Sequence, residues 1–295
     1  MKGNKAAGRT RTCSIKAIIA VAVITVLSVY LPGCGGSSKG AFEGTVKVSG
    51  STTLLPVAEE AAFDLMDLKK GVNIQVQGGG SSVGITQLKE KIVQVGMSSR
   101  DLQPGEDPGN FVDNKVAYDI IAIIVNPSVR IKSLSVQQVK DIFTGKVTDW
   151  SQVGAKKGAI TVVVRDLASG TRDVFDQKAL GSTKDKPVAS VGSAIQCSSN
   201  GLVRDTVAST KNCIGYISFG YVNKTIKPLL YDGVEPTVPN AVAGKYPMAR
   251  FLHMFTRGAP SGTIKEYIDF MLSEKFQKDV VAQMYVPVDE VQKVK

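Results

Sequence analysis

Strand-like and helix-like patterns of apolar residues follow one another along most of the chain. Short alternating or continuous apolar runs predict strands, and apolar residues three or four apart predict helices. The predicted strands cover residues 45–49, 72–77, 93–97, 116–125, 160–164 and 213–217, with another inside 246–255. The predicted helices cover residues 54–70, 83–90, 135–143, 173–180, 202–207, 264–272 and 276–284. This order predicts an α/β fold of mixed sheets flanked by helices.

Short turns rich in Ser, Thr and Gly follow four of the predicted strands. These turns are Ser51-Thr52-Thr53, Ser81-Ser82, Ser98-Ser99-Arg100 and Ser169-Gly170-Thr171. Three of them precede a predicted helix, whose first backbone N–H groups have no partner within the helix. In an open α/β sheet, the loops at the carboxyl ends of the strands form the ligand crevice. We therefore expect the four turns to converge on one anion.

The segment from Arg165 to Arg172 is the centre of this predicted site. Gly170 lets an anion approach the backbone, the hydroxyl groups of Ser169 and Thr171 can donate, and Arg165 can add a charged, two-pronged donor. Because all of these groups donate, the expected ligand is a tetrahedral oxyanion. For this segment alone, the alternative is a helix cap at Ser169 and a surface charge at Arg165.

The start of the chain has the pattern of an export signal. Five basic residues precede an apolar run at 17–31, which is shorter than the ~20 residues of a membrane-spanning helix. Leu31-Pro-Gly-Cys34 resembles the lipobox of bacterial lipoproteins, which implies cleavage after Gly33 and diacylation of Cys34. Residues 1–33 are then the signal peptide and 34–40 a flexible tether. The alternatives are an uncleaved anchor, or a signal cut elsewhere with Cys34 incidental.

Composition narrows the function classes. The predicted signal holds five basic residues and no acidic ones, so the exported part keeps half of the net charge of +10. This charge suits anion attraction, but no basic run is interleaved with aromatic residues as in nucleic-acid-binding proteins. The chain has four cysteines and one histidine, His253, and no cluster with metal-ligand spacing, so neither a metal nor a cofactor is expected. His253 lies in an apolar strand pattern and is expected to pack there.

The two cysteines of the exported part, Cys197 and Cys213, are expected to form a disulfide in an oxidising compartment. The alternative is a pair of buried free thiols.

Five motifs, at residues 49–56, 78–82, 96–100, 165–172 and 244–247, occur together in the exported part. Their combination resembles the periplasmic phosphate-binding lipoproteins of ABC phosphate importers. The resemblance implies the two-lobed fold of type II periplasmic binding proteins, with a two-strand hinge and dehydrated phosphate held between the lobes. It also implies a membrane permease as partner, a lipid-anchored monomer on the periplasmic side of the membrane, and no catalysis.

Apolar runs before Asn126 and near Leu229 predict lobes at residues 41–125 plus 229–295 and at 126–228.

The resemblance assigns phosphate-binding roles by motif position. The residues so implied are Thr52, Thr53, Ser81, Arg165, Ser169, Gly170 and Thr171. At Ser99 the chain departs from members that have an Asp, which accepts the proton of hydrogen phosphate and repels sulfate. Ser99 and Arg100 are nevertheless predicted to bind the anion: Ser99 can accept but carries no charge, and Arg100 attracts either anion. Asp101 or Asp166 is a candidate for the missing acceptor.

Three other functions remain as alternatives. A receptor for sulfate or molybdate would use the same donors. A secreted phosphatase or serine hydrolase is weakened by the single histidine and by the absence of a Gly-x-Ser-x-Gly elbow around Ser169. A signalling or adhesion role would keep the pocket and add a partner surface.

Overall fold

The computed structural model describes residues 45–183 and 185–292. The predicted signal peptide, the lipidation site at Cys34 and the tether at 34–40 lie outside these ranges. Within the described ranges, no helix has the length and apolar character needed to span a bilayer.

Eleven strands occur in the described residues, and nine of them belong to one twisted sheet. The strands are β1 Thr45–Gly50, β2 Asn73–Gly78, β3 Val95–Ser98, β4 Phe111–Val125, β5 Ser133–Leu134, β6 Thr161–Arg165, β7 Ile195–Cys197, β8 Cys213–Ser218, β9 Lys227–Pro228, β10 Leu230–Tyr231 and β11 Ala249–Arg257. The main order is β2-β1-β3-β11-β4-β8-β6-β7, with β9 beside β4, while β5 and β10 pair separately. Neighbours are parallel within β2-β1-β3 and within β8-β6-β7, and antiparallel around β4 and β11.

In the described part of the chain, nine α-helices pack against the sheet or join its strands. They are α1 Leu55–Leu68, α2 Ser81–Lys89, α3 Val136–Phe143, α4 Gly170–Lys178, α5 Asn200–Ser209, α6 Val238–Val242, α7 Gly262–Leu272, α8 Glu274–Asp279 and α9 Val288–Gln292. Short 3-10 turns lie at Trp150–Val153, Phe219–Tyr221 and Val281–Gln283. The predicted α/β class is confirmed, although the shortest elements, such as β7, α6 and α9, were not predicted.

The long strand β4 takes part in three hydrophobic cores. Its first part pairs with β11, and Val116 and Ala117 pack in a core with α1 and α7. From Ile121 onward, β4 pairs with β8 and packs in two other hydrophobic cores. One of these cores contains Trp150, which is 1% exposed, as expected for a packing residue.

The predicted disulfide is wrong, because Cys197 and Cys213 are both free, buried thiols. Cys197 pairs with Arg165 at the end of β6, whereas Cys213 pairs with Thr161 at its start, on the opposite side of that strand. Two strand spacings and four residues of strand rise place their Cα atoms roughly 15 Å apart. A disulfide needs a Cα separation below about 7 Å.

Candidate functional site

The four donor-rich turns meet at one point of the fold. Thr53 Oγ1 lies 3.1 Å from Thr171 Oγ1, and Ser81 Oγ lies 3.2 Å from Ser99 Oγ. A Cβ atom on Gly170 would fall 2.4 Å from Ser81 Oγ and 2.9 Å from Ser99 Oγ. Glycine is therefore required where the fourth turn touches the second and third, and the predicted convergence of the turns is a feature of the structure.

Parallel strands place these turns at the same edge of the sheet. β1, β2 and β3 are parallel, and α1 and α2 begin just after β1 and β2. Gly80 precedes α2 with φ +97°, a left-handed conformation that brings Ser81 to the first position of that helix. Ser169 caps α4 through a hydrogen bond from Arg172 N to its Oγ, so Gly170 and Thr171 are the first helical residues. Their backbone N–H groups lack partners within the helix, and the helix dipole adds positive potential there.

Two backbone carbonyl groups of the first donor-rich turn accept hydrogen bonds from tyrosine side chains. The hydroxyl of Tyr221 donates to Thr52 O at 2.7 Å, and the hydroxyl of Tyr285 donates to Thr53 O. Each bond therefore gives a backbone carbonyl oxygen of this turn a hydroxyl donor. The threonine hydroxyl groups remain at the meeting point of the turns.

Arg165 is the buried cation of the site. It is 1% exposed, donates from Nη2 to Thr52 Oγ1 at 3.1 Å and to Ser198 O at 3.0 Å, and donates from Nε to Cys197 O at 3.2 Å. Its Nη1 is buried without a hydrogen-bond partner, and no carboxylate pairs with it among the described residues. Burial lowers the pKa of the Arg165 guanidinium from its usual value. A buried cation with an unused donor is matched by an anionic ligand.

Arg250 is a second buried guanidinium that the sequence interpretation missed. It faces Asp119 across the β4–β11 pair, and its Nη2 lies 2.8 Å from Asp119 Oδ2. The same Nη2 donates to Thr171 Oγ1 at 2.9 Å, and Nη1 has no partner. Burial raises the pKa of Asp119, while the charge of Arg250 and a hydrogen bond from Ser218 act in the opposite direction. The available signal was an arginine near the start of a predominantly apolar strand.

Asn200 is also part of the cluster and was also missed. Its Nδ2 donates to Thr53 Oγ1 at 3.0 Å, and its Oδ1 accepts from Ser218 N at 3.2 Å. It begins α5, directly after the cap residue Ser199. The sequence Ser198-Ser199-Asn200 follows β7 as the other polar turns follow their strands, but β7 is too short to stand out as a strand.

Arg100 has little capacity left for an anion. Its Nη1 donates to Glu106 Oε2 at 2.7 Å and to Asp101 O at 2.9 Å, and its Nη2 donates to Glu106 Oε1 at 2.7 Å and to Ser82 Oγ at 3.1 Å. Its Nε lies 2.6 Å from Asp173 Oδ2, an ion pair without an aligned hydrogen bond. Burial opposes ionisation of both partners in the Arg100–Glu106 pair, but their mutual contact outweighs it, so the pKa of Arg100 is raised and that of Glu106 is lowered.

The two aspartates proposed as proton acceptors have contacts of their own. The side chain of Asp101 is 93% exposed and 3.6 Å from His253 Nε2. Asp166 Oδ1 accepts from Ala168 N at 3.0 Å, within its own turn. His253 is buried, pairs through Nδ1 with Asp113 at 2.8 Å and stacks on Phe255, which fits the packing role expected for it.

The cluster is therefore rich in donors and poor in free acceptors. Among residues 45–183 and 185–292, no group of three His, Cys, Asp or Glu side chains is arranged to hold a metal ion. A cavity of about 460 Å³ borders Arg100, Arg250 and His253 beside the cluster. This chemistry suits a small oxyanion held by hydrogen bonds.

Comparison with known proteins places the chain in a family. Residues 36–275 match the family model described as the PBP superfamily domain. The phosphate-binding protein PstS of Bacillus subtilis (strain 168) is 36% identical over 252 residues, which are 84% of this chain and 82% of that protein. The phosphate-binding protein PstS of Pseudomonas aeruginosa (strain PAO1) is 30% identical over 277 residues, covering 83% of each. The chain belongs to the PBP superfamily and, within it, to the PstS family of phosphate-binding proteins.

Solved structures agree with this placement. A Clostridium perfringens protein with bound phosphate, assigned to the substrate-binding proteins of phosphate ABC transporters, has a TM-score of 0.77 and 34% identity, and the match covers 83% of this chain and all of that one. An ABC-type phosphate transport receptor from Vibrio cholerae has a TM-score of 0.70 and 29% identity, covering 82% and 99%. The resemblance found in the sequence and the fold type that it implied are confirmed.

Proposed function

We propose that this chain is the substrate-binding protein of an ABC importer, which captures inorganic phosphate among the four turns and delivers it to a membrane permease. One observation carries the proposal: two buried guanidinium groups, Arg165 and Arg250, each keep an unused Nη1 donor while their Nη2 atoms donate to the hydroxyl groups of Thr52 and Thr171. The phosphate bound to the related Clostridium protein supports the same ligand.

The proposed binding mode follows from the charges of the cluster. Asp119 already balances Arg250, so Arg165 supplies the net positive charge. The remaining charge of a phosphate dianion is solvated by neutral donors, namely hydroxyl groups and the first N–H groups of α4, as anions are at other helix N-termini. Fixed donors that replace water allow a dehydrated anion to be held without a metal.

Selectivity for phosphate over sulfate is proposed to rest on hydroxyl acceptors. The hydrogen of hydrogen phosphate needs an acceptor, and both oxygens of Asp119 are already engaged by Arg250 and Ser218. Ser99 and Ser81 offer lone pairs but no negative charge, so they accept the proton without strongly repelling sulfate. Ser99→Asp should therefore weaken sulfate binding more than phosphate binding, which competition titration measures directly.

We also propose that the exported part has two lobes that close on the ligand; the sequence predicts them at residues 41–125 plus 229–295 and at residues 126–228. The passage of β4 from one hydrophobic core to another supports a crossing near Ile121. Tyr231, Tyr246 and Met248 pack with the core of the second lobe, which favours a return crossing nearer to Ala249 than to Leu229. Small-angle scattering with and without phosphate should show compaction on binding.

The proposal includes the cellular setting implied by the sequence. Residues 1–33 would direct export, Cys34 would carry the lipid, and a monomer on the outer side of the cell membrane would present phosphate to the permease. Catalysis is not part of the proposal, because the site offers donors to an anion and no nucleophile paired with a base. Cys34→Ala should release the protein from membranes or leave the precursor uncleaved, and unchanged retention with a normal mature mass would remove the lipid from the proposal.

Calorimetry of the mature protein with phosphate, sulfate and molybdate tests the ligand. We expect one phosphate per chain, bound more tightly than the other two anions. Tighter binding of sulfate or molybdate would favour the second candidate, a receptor for another oxyanion. Absence of binding to all three by folded protein would refute an oxyanion receptor altogether.

A further inference from the structure

The ion-pair group around Arg100 joins two parts of the chain that are far apart in sequence. Arg100 is the last residue of the third donor-rich turn, whereas Asp173 lies in the first helical turn of α4, two residues after Thr171. On the proposed division into lobes, the Arg100–Asp173 pair spans the two lobes. Gln103 Nε2 also lies 3.4 Å from Asp173 Oδ2, from the same side as Arg100.

Electrostatics argue against a role for this group in attracting an anion. Arg100 brings one positive charge, while Glu106 and Asp173 bring two negative charges within 2.7 Å of its nitrogens. Its terminal N–H groups are all used, two of them by Glu106. An incoming phosphate would therefore meet a group with net negative charge whose terminal N–H donors are all taken.

The same contacts suit a group that holds the two sides of the site together. Arg100 is 4% exposed, and Glu106 fixes its guanidinium with two parallel hydrogen bonds so that Nε faces Asp173. A pre-oriented guanidinium loses little conformational entropy when it meets a carboxylate. Nearby, Ser82 N donates to Ala168 O at 3.1 Å, so backbone contact across the same boundary accompanies the ion pair.

We propose that Arg100 is a positioning residue that forms an interlobe latch with Asp173, rather than a phosphate ligand. The latch rests on the proposed function, because it acts by stabilising the closed, phosphate-bound state. Ligand affinity scales with the fraction of molecules in the binding-competent state, and a contact made only after closure slows opening and hence release.

The charge of Asp173 makes the test sharp. If Arg100 contacted phosphate directly, Asp173→Asn would free the guanidinium and remove a nearby negative charge, so phosphate would bind more tightly. The latch predicts the opposite: Asp173→Asn should weaken phosphate binding by roughly tenfold, within the usual range of coupling between sites. Most of this change should appear as faster dissociation.

Asp176 provides a matched control on the same helix. It lies one turn further along α4 and pairs with Arg172 of that helix, with Arg172 Nε 3.3 Å from Asp176 Oδ2. Asp176→Asn removes the same charge without touching the latch, so phosphate affinity should stay within about twofold of wild type. Equal effects of the two variants would reduce the latch to a general charge effect and overturn it.

The experiment combines calorimetry with stopped-flow release of phosphate from the mature protein, for wild type, Asp173→Asn, Arg100→Gln and the double variant. The double variant should be no weaker than the weaker single variant, because both remove one contact. Additive losses, or tighter binding in Asp173→Asn, would overturn the latch.

If a variant fails to fold, the salt dependence of phosphate dissociation from the wild-type protein tests the latch instead. The dissociation rate should rise with NaCl concentration, and a rate independent of salt would count against the latch. Failure of wild type to bind phosphate would instead remove the proposed function, which separates the two outcomes.

Discussion

Replacement of Arg165 by alanine is the most direct test of how the site holds its ligand. The guanidinium is almost fully buried, its Nη2 donates to Thr52 of the first donor-rich turn, and its Nη1 has no hydrogen-bond partner. Arg165→Ala removes the only cation of the described cluster that lacks a carboxylate partner. It also removes a donor from Ser198 O and from Cys197 O, although Cys197 O keeps its bond from Asp166 N.

The expected loss follows from the partner that remains. A buried anion that loses its charged, hydrogen-bonded partner costs on the order of 2–5 kcal/mol, because the remaining charge is left uncompensated. This corresponds to roughly 30- to 4,000-fold weaker phosphate binding. Wild type in phosphate at 100 times its Kd gains about 2.7 kcal/mol of stability, whereas a variant weakened 30-fold gains less than about 1 kcal/mol at the same concentration.

Calorimetry gives the affinity, and thermal or denaturant unfolding with and without phosphate gives the stabilisation. Arg165→Lys separates charge from geometry: it keeps the positive charge but loses the two-pronged donor, so its affinity should fall between those of wild type and Arg165→Ala. Arg204→Ala serves as a charge control, because Arg204 pairs with the exposed Asp205. A Kd for Arg165→Ala within about twofold of wild type, less than 0.5 kcal/mol, would show that Arg165 does not carry binding.

Three further predictions follow from single positions. Gly170→Ala should weaken phosphate binding by about tenfold or more, because the added Cβ would clash with the hydroxyl groups of Ser81 and Ser99. Gly201→Ala is the control: the atom nearest to its added Cβ would be 3.8 Å away, so phosphate affinity should not change, and equal affinities of the two variants would contradict the prediction. Burial raises the pKa of Asp176 to about 6, so the stability that its protonated form contributes below the unfolded pKa of 3.8 is lost as the pH rises through 6. The free energy of unfolding of Asp176→Asn relative to wild type should therefore rise by roughly 2–3 kcal/mol from pH 4 to pH 7. A difference that stays constant with pH in denaturant titrations would refute this prediction. Cys197 and Cys213 should both be alkylated in unfolded, unreduced protein, as peptide mapping would show, and alkylation that required a reductant would instead support a disulfide. In the native state Cys213 should react slowly, because burial raises the pKa of its thiol to about 12.

Local sequence determined the elements that carry the site. Each donor-rich turn was visible because a strand pattern, a Ser, Thr or Gly turn and a helix pattern are all local features of the chain. Ser169 caps α4 and Ser135 forms a capping box with Gln138, as sequence rules require. The parallel order of strands and helices then predicted that Thr53 and Thr171 would lie at one edge of the sheet.

Only the tertiary structure decided which side chains complete the site and which leave it. Arg250 reaches Thr171 because β11 lies beside β4, a pairing between residues more than 120 positions apart. Asn200 reaches Thr53 because the short strand β7 joins the edge of the sheet.

Arg100 illustrates the opposite outcome. Its position after a polar turn suggested a contact with the anion, yet Glu106 and Asp173 take its donors. The sequence contains Glu106 and Asp173 but does not show that their carboxylates contact Arg100. A charged residue next to a binding motif therefore predicts a ligand contact only if no oppositely charged side chain pairs with it in the folded protein.

Strand pairing also decided the state of the cysteines and the length of β4. The spacing of Cys197 and Cys213 along the chain permits a disulfide, but their strands lie on opposite sides of β6. Strand β4 begins at Phe111, before its apolar run, because β11 supplies backbone partners for the polar residues there. Patterns along a sequence report which face of an element is buried, whereas the neighbours of that element are set by contacts between distant segments, which no local pattern encodes.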